Sequence, residues 1–240
     1  MWNLWCGCTR ISPGCAHCYM YRRFESVGRD PSVVTKTKSF NLPVRMVRSG
    51  EYKGFYRIPA GSHFDTCFSS DFFHPGADEW RPAAWEMMEE RSDCTFFMIT
   101  KRPERIAEHL PANWGSGWEH VSIAVTCENQ QMADKRLPVY LSLPLKHRLV
   151  ATEPLLGPMD LSTYLKDGLI DSIAVGGESG PQARPCDYDW VLDLHTQCVE
   201  NNVGFYYHQT GAKLIKDGKG FFIPRKLQHS QAHKANLDIR

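Results

Sequence analysis

The chain has 240 residues, of which 42% are hydrophobic and 23% charged, and its formal net charge is +1. This ordinary globular composition excludes a disordered chain, a collagen-like fibre and a small disulfide scaffold. The longest apolar runs, such as residues 96–99, are too short to span a membrane, and the polar and aromatic opening predicts no secretory leader. We therefore expect a cytoplasmic protein.

Charge is distributed unevenly along the chain. Residues 1–60 carry ten Lys/Arg and three Asp/Glu, residues 61–210 carry eleven and twenty-two, and residues 211–240 carry seven and two. The two basic ends are suited to a polyanion. Segment 36–57 interleaves cations with Tyr52 and Phe55, a pattern typical of nucleic-acid contact. A solvated loop is the alternative, because the whole chain is nearly neutral.

The first predicted strand covers residues 2–7, and six short runs after residue 60 alternate with helical stretches. These runs are rich in Val, Ile and Phe, which predicts buried strands over 64–69, 95–100, 121–126, 147–151, 172–175 and 203–208. Helical spacing between them predicts helices over 80–91, 102–110, 129–141, 159–166 and 187–200. The chain thus has about seven predicted strands in a repeating βα order.

This alternation predicts an α/β fold with a parallel sheet and right-handed crossovers. No glycine-rich dinucleotide motif follows the first strand, which favours a TIM-type or partial (β/α) barrel over a doubly wound sheet. We expect the barrel to cover residues 1–210, with a basic insertion over 28–62. Residues 211–240 are predicted to be a basic C-terminal extension in loop conformation.

Polar residues follow the end of each predicted strand after residue 60. They lie at 69–71, 100–102, 126–129, 152–153, 176–179 and 208–209. In a barrel these ends converge on one face, where catalytic groups lie, so we expect a shared pocket. For any single residue, capping of the following helix is the alternative.

Four of the nine cysteines fall within the first eighteen residues, a density that indicates metal or redox chemistry. Three thiolates on one loop, from Cys8, Cys15 and Cys18, can hold three irons of a [4Fe–4S] cluster and leave the fourth for a non-protein ligand. The alternative is a four-thiolate zinc site that includes Cys6. Cys6 and Cys8 alternate along a predicted strand and should face opposite sides, which favours the cluster.

The opening of the chain resembles the signature of a known family. The matching residues are Trp2-Asn3, Gly7-Cys8-Thr9 and Ser12-Pro13-Gly14-Cys15-x-x-Cys18-Tyr19. They are similar to an uncharacterised radical S-adenosylmethionine-like three-cysteine family of phages and mobile elements, which is distantly like spore photoproduct lyase. Further similar motifs lie at 70–74, 100–105, 128–130, 153–158 and 176–185. The resemblance therefore extends over nearly the whole chain.

The resemblance implies a partial or full barrel and a [4Fe–4S] cluster on Cys8, Cys15 and Cys18. The amino and carboxylate groups of S-adenosyl-L-methionine would bind the open iron. An electron from a donor such as flavodoxin or ferredoxin would then generate a 5′-deoxyadenosyl radical, which abstracts hydrogen from the substrate. The expected substrate is a nucleic acid or nucleotide. The alternative is a non-catalytic nucleic-acid-binding protein that contains zinc or a cluster.

Two departures from the usual radical enzyme pattern guide the assignment of roles. Six residues, rather than three, separate the first two cysteines, and the Gly-Gly-Glu motif follows the sixth strand rather than the second. The predicted cofactor-binding residues are Ser69, Ser70, Asp71, Lys101, Glu153, Gly176 and Gly177. Glu178 is predicted to serve the substrate, and Cys127 to donate a hydrogen atom to a product radical. For the polar residues the alternatives are turns and caps, and for Cys127 a place in the core.

Overall fold

The computed structural model describes residues 1–240. Near the start of the chain, β1 (Trp5–Cys6) and β2 (Thr35–Lys36) form a small antiparallel sheet. Apart from β2, the segment between residues 28 and 62 consists mainly of turns and bends.

The main sheet has six parallel strands, which confirms the predicted α/β class. Its strands are β3 (His63–Thr66), β4 (Thr95–Thr100), β5 (Val121–Thr126), β6 (Arg148–Thr152), β7 (Ser172–Gly176) and β9 (Gly204–Gln209). They lie side by side in chain order without a reversal. This order is compatible with a partial (β/α) barrel and differs from that of a doubly wound sheet.

The predicted seventh strand is not part of this sheet. Within residues 2–7 only Trp5–Cys6 are extended and paired, and their partner is β2. Trp2 makes one isolated parallel bridge to Thr66 of β3. The Trp2 indole donates hydrogen bonds to the carbonyls of Ser39 and Phe40. The start of the chain is therefore held by this side chain rather than by strand pairing with the main sheet.

The structure has six α-helices, and three of the predicted helices appear at nearly their expected length. The helices are α1 (Tyr19–Glu25), α2 (Arg81–Glu90), α3 (Gln130–Leu141), α4 (Ser162–Leu165), α5 (Tyr188–Glu200) and α6 (Arg225–His233). The stretch 102–110 instead forms two 3₁₀ turns, Pro103–Arg105 and Ala107–His109. None of the helices is both long and apolar enough to cross a membrane.

Much of residues 211–240 forms strands and a helix, so the predicted loop conformation is wrong. Strands β10 (Lys213–Lys216) and β11 (Lys219–Phe222) form a hairpin, and β10 also pairs in parallel with β8 (Cys186–Asp187). Helix α6 packs against β9. These strands are only two to four residues long, and β11 is exposed, so sequence patterning alone does not reveal them.

The chain divides into two compact units. The first unit comprises Met1–Thr9, Arg23–Ile123 and Leu143–His147, and the second comprises Arg10–Arg22, Ala124–Ser142 and Arg148–Arg240. The first has an aromatic core in which Phe64 stacks on Phe96 with ring centroids 5.1 Å apart. The core of the second is mainly aliphatic. It includes Ile173, Val175, Val191, Leu194 and Phe205, all buried.

Candidate functional site

A buried ion pair lies at the strand ends of the first unit, between Asp71 and Arg102. Arg102 Nη1 donates to Asp71 Oδ2 over 2.9 Å, and both side chains are at least 94% buried. The remaining donors to the carboxylate are Lys101 N, Phe73 N and Thr100 Oγ1, at 3.0, 2.9 and 2.8 Å. Each carboxylate oxygen thus accepts two hydrogen bonds, which fills its acceptor capacity. A cofactor amine would have to displace one of these donors.

The guanidinium of Arg102 connects this pair to Cys8. Arg102 Nη1 also lies 3.7 Å from Cys8 Sγ, and Nη2 donates to Thr9 O and Thr9 Oγ1, each at 3.0 Å. Burial lowers the pKa of Arg102, but Asp71 and Cys8 outweigh it, so the net shift is upward. Arg102 is therefore a permanent cation beside the Cys8 sulfur, where it favours a thiolate over a thiol.

His74 completes the network around Thr9. The Gly76 N–H donates to His74 Nδ1 over 3.0 Å, so the neutral ring carries its proton on Nε2 and donates to Thr9 Oγ1, also at 3.0 Å. Burial and the nearby Arg102 charge lower the pKa of His74. The imidazole is therefore held neutral and fixes the residue next to Cys8.

Ser69 and Ser70, predicted to bind cofactor, instead hold the chain that leads into Cys8. Ser69 Oγ donates to Trp5 O over 3.1 Å, and Ser70 Oγ donates to Gly7 O. The Gly7 N–H in turn donates to Ser69 O over 3.1 Å. The Lys101 backbone contacts Asp71, and its side chain is partly exposed. In the first unit the serines thus hold the backbone before Cys8, and Asp71 reaches Cys8 through Arg102.

In the second unit, Cys15 and Cys18 lie on a tight turn that leads into α1. Cys15 ends the 3₁₀ turn Pro13–Cys15, and the Cys18 N–H donates to Cys15 O over 3.4 Å. Residues three apart in a helical turn share one face, so both thiols can be presented on the same side. We call residues 12–18 the cysteine loop.

Two carboxylates at strand ends anchor the cysteine loop. After β5, Glu128 Oε1 accepts from Gly14 N over 2.9 Å, while its Oε2 accepts from buried Arg136 over 2.7 Å. After β7, Glu178 Oε2 lies 2.9 Å from His17 Nδ1. Glu128 is fully buried and Glu178 is 5% exposed.

Arg184 binds both Glu178 and the cysteine loop. Its Nη2 donates to Glu178 Oε1 over 2.5 Å and to Pro13 O over 3.0 Å. Burial raises the pKa of Glu178, but the hydrogen bonds from Arg184 and His17 outweigh it and lower the pKa. Glu178, predicted to serve the substrate, is thus an ionised anchor of the cysteine loop in this structure.

The remaining predicted cofactor residues of the second unit pack against one another. Glu153 Oε2 lies 2.7 Å from His208 Nδ1, and this hydrogen bond raises the pKa of His208 against the opposing effect of burial. A Cβ on Gly176 would lie 2.9 Å from Glu153 Oε2, and one on Gly177 would lie 2.3 Å from Thr210 O. The space beside Gly176 and Gly177, which was expected to admit a ligand, is therefore filled by other residues of the protein.

Exposure separates the nine cysteines into two groups. Cys8, Cys15 and Cys18 are partly exposed, and the other six are buried. Cys127, the predicted hydrogen-atom donor, is fully buried, and its backbone N–H donates to Ala151 O over 3.0 Å. No three His, Cys, Asp or Glu side chains stand grouped as a metal site in this structure. By donor chemistry and exposure, Cys8, Cys15 and Cys18 are the thiols able to take a soft metal.

Several residues of these networks were not among the sequence-predicted site residues. They are Thr9, His17, His74, Arg136 and Arg184. Arg102 and Glu128 lie in the polar runs 100–102 and 126–129, which were expected to face the pocket. His17 lies between Cys15 and Cys18, and Glu128 closely follows a predicted strand. Their positions in the sequence therefore indicated that both could lie near the site. His74 and Arg184 lie within the motifs at 70–74 and 176–185, but no local pattern gives their distant partners. His74 contacts Thr9, 65 residues away, and Arg184 contacts Pro13, 171 residues away.

A family model described as "Protein of unknown function (DUF5131)" matches residues 1–236. No curated protein matches the chain. No solved structure matches it either.

Proposed function

This chain belongs to the DUF5131 family, a family of unknown function, over nearly its whole length. From the chain's own residues we propose that it is an iron–sulfur enzyme of the radical S-adenosylmethionine type. The observation that carries the proposal is the exposure of the cysteines. The three thiols selected by spacing and by family resemblance are also the three that solvent, and hence a metal, can reach.

The donor set fits a three-thiolate cluster. Thiolates are the usual ligands of iron–sulfur clusters, and Cys8, Cys15 and Cys18 would supply three of them. The Cys6 thiol of the zinc alternative is buried, 3.4 Å from Thr35 Oγ1 and 3.5 Å from Arg29 Nη2. These neighbours differ from those of Cys8, which supports a set of three thiolates rather than four.

The chain's own residues would prepare these ligands. Arg102 stabilises negative charge on Cys8, and Asp71 fixes Arg102. Glu128 and Glu178 hold the cysteine loop at Gly14 and His17. Such outer contacts orient ligands and tune a metal centre. When bound, the cluster and S-adenosyl-L-methionine would supply one-electron cleavage of the sulfonium and hydrogen-atom abstraction, with electrons from a flavodoxin or ferredoxin.

Anaerobic reconstitution tests this proposal. The full chain is loaded with iron and sulfide, reduced with dithionite, and assayed for 5′-deoxyadenosine formed from S-adenosyl-L-methionine. We expect close to four irons and four sulfides per chain, as a [4Fe–4S] cluster requires, and accumulation of 5′-deoxyadenosine. A colourless protein with one tightly bound zinc would refute the proposal.

Matched cysteine variants identify the ligands. Cys18→Ala should lose the cluster and the product, whereas Cys198→Ala, which alters a buried thiol in α5, should keep both. Cys6→Ala separates the two metal hypotheses, because it should leave the iron content unchanged for three thiolates and abolish metal binding for a four-thiolate zinc site. Iron retained in Cys18→Ala would refute the ligand assignment.

A second candidate function, non-catalytic binding of nucleic acid, is favoured by a basic cleft in the first unit. The cleft has a volume of 580 Å³ and is lined by Arg45, Arg48 and Arg57 without any acidic residue. Tyr52 and Phe55 nearby in sequence are 64% and 65% exposed. If this function is correct, Arg45→Ala/Arg48→Ala should weaken binding of an oligonucleotide, most strongly at low salt. Unchanged binding at low salt would refute it.

A further inference from the structure

A second basic cleft lies entirely within the second unit. Its volume is 340 Å³, and its walls are the loop after Glu178, the β10–β11 hairpin and the start of α6. All charged residues that line it are cations, namely Arg22, Lys213 and Arg225. Cations gathered in a concave surface concentrate anions by focusing the field.

These cations are not neutralised by the protein. Lys213 and Arg225 form no salt bridge in the structure. Arg22 donates to the carbonyl of His17, and its guanidinium packs against Gly180, where a Cβ would meet Arg22 Cζ at 2.6 Å. Neither of these contacts supplies a negative charge, so an anion that enters the cleft meets three unpaired positive groups.

An aromatic ring stands exposed at the same cleft. Phe222 is 83% exposed, the largest exposure of any large hydrophobic side chain in the protein. Lys213 Nζ lies 6.0 Å from the centre of its ring. An exposed ring beside backbone-binding cations is the combination by which proteins stack unpaired bases of single strands.

The cleft is held open by hydrogen bonds of its own. The Ile223 N–H donates to Ala212 O over 3.0 Å, and Gln228 Nε2 donates to Ile223 O over 3.0 Å. Gln228 is 2% exposed and ties the start of α6 to the end of β11. The walls are therefore preformed, which lowers the entropic cost of binding a ligand.

We propose that this cleft binds single-stranded nucleic acid, with phosphates on Arg22, Lys213 and Arg225 and one base stacked on Phe222. The cleft adjoins the cysteine loop, because the Arg22 N–H donates to Cys18 O over 3.3 Å. That the bound strand is the substrate rests on the proposed radical function. Binding itself requires no cluster.

Fluorescence anisotropy with a labelled single strand of about 12 nucleotides tests the cleft. We expect Lys213→Ala/Arg225→Ala to reduce the slope of log affinity against log salt by about 1.4, since each lost phosphate contact contributes about 0.7. Phe222→Ala should weaken binding about tenfold with the slope unchanged. Both variants should fold, because Phe222 and Arg225 are exposed, and melting temperatures verify this.

The matched control is Lys219→Ala/Lys234→Ala, which removes the same charge from exposed positions outside the cleft. We expect less than about a twofold effect from it. An equal loss in the control, unaltered affinity in Phe222→Ala, or equally tight binding of a duplex of the same length would each overturn the proposal. The proposal would also be overturned if only Arg45→Ala/Arg48→Ala lost affinity for the single strand.

Measurement of 5′-deoxyadenosine on the same preparations separates the two proposals. Cleft-dependent binding by a protein that forms no 5′-deoxyadenosine would support the cleft and refute the radical function. Formation of 5′-deoxyadenosine by a protein whose strand binding is insensitive to Phe222→Ala and Lys213→Ala/Arg225→Ala would overturn the cleft alone.

Discussion

The Asp71–Arg102 pair gives the sharpest stability prediction. In Asp71→Asn, an amide at the Oδ2 position would face two donors, Lys101 N–H and Arg102. At the Oδ1 position it could donate to Thr100 Oγ1 but would face the Phe73 N–H. In either orientation a buried donor loses its acceptor and Arg102 loses its counter-charge.

The magnitude follows from burial. Asp71 and Arg102 side chains are 6% and 5% exposed, so solvent screens the pair little. Removing one partner of a buried pair costs about 3–5 kcal/mol, and we expect the lower end because Arg102 keeps its bonds to Thr9. At about 2–4 °C per kcal/mol for a chain of this length, the melting temperature should fall by about 6–12 °C.

Thermal unfolding followed by circular dichroism provides the assay. The control is Asp30→Asn, an exposed aspartate that accepts hydrogen bonds from Ser32 N and Oγ at 2.8 and 2.7 Å. It should melt within about 2 °C of the parent protein. The double variant Asp71→Asn/Arg102→Met should be less destabilised than the sum of its single changes, because no unpaired charge stays buried. An Asp71→Asn protein that melts like Asp30→Asn would show that the pair does not stabilise the fold.

Two further predictions concern the second unit. Gly177→Ala places a Cβ 2.3 Å from Thr210 O and should cost about 1–3 kcal/mol, whereas Gly157→Ala, with no atom within 4 Å, should be nearly neutral; equal melting temperatures would contradict the steric argument. The hydrogen bond to Glu153 raises the pKa of His208 in the folded protein. The stability that this pair adds to the fold is therefore complete below the unfolded pKa of His, about 6.5, and is lost as the pH rises through the folded pKa. Glu153→Gln should therefore lower the melting temperature more at about pH 6 than at about pH 9, and the opposite order would refute the pairing.

Local patterning predicts most of the main sheet. Strands β4 and β5 have the predicted bounds, because runs such as Thr95–Thr100 combine β-branched and aromatic residues with turn residues at both ends. Helix α5 begins one residue after the predicted start at 187, and Asp187 caps it by accepting from Asp189 N over 3.1 Å. These elements depend on neighbours within a few residues. Pairing partners are not local, which explains why the segment at residues 2–7 did not form the seventh strand.

The candidate site also has features that local sequence predicts and features that appear only in the folded chain. Spacing singled out Cys8, Cys15 and Cys18, and their shared exposure appears only in the folded chain. The polar residues at strand ends do meet within each unit, yet Ser69, Ser70 and Glu178 hold the protein's own backbone and side chains. A polar residue at a strand end has the same sequence signature whether it binds a ligand or an adjacent loop.

The α/β class, the positions of the main strands and the cysteine spacing can be read from the amino-acid sequence, because each is encoded in periodicity or in the chemistry of adjacent residues. The folded chain was needed to find which cation lies beside Cys8, which carboxylates hold the cysteine loop and where cations remain without a counter-charge. Glu128 and Gly14 are 114 residues apart, as are many such partners. Their contact depends on how the strands are ordered in space, which no local pattern contains.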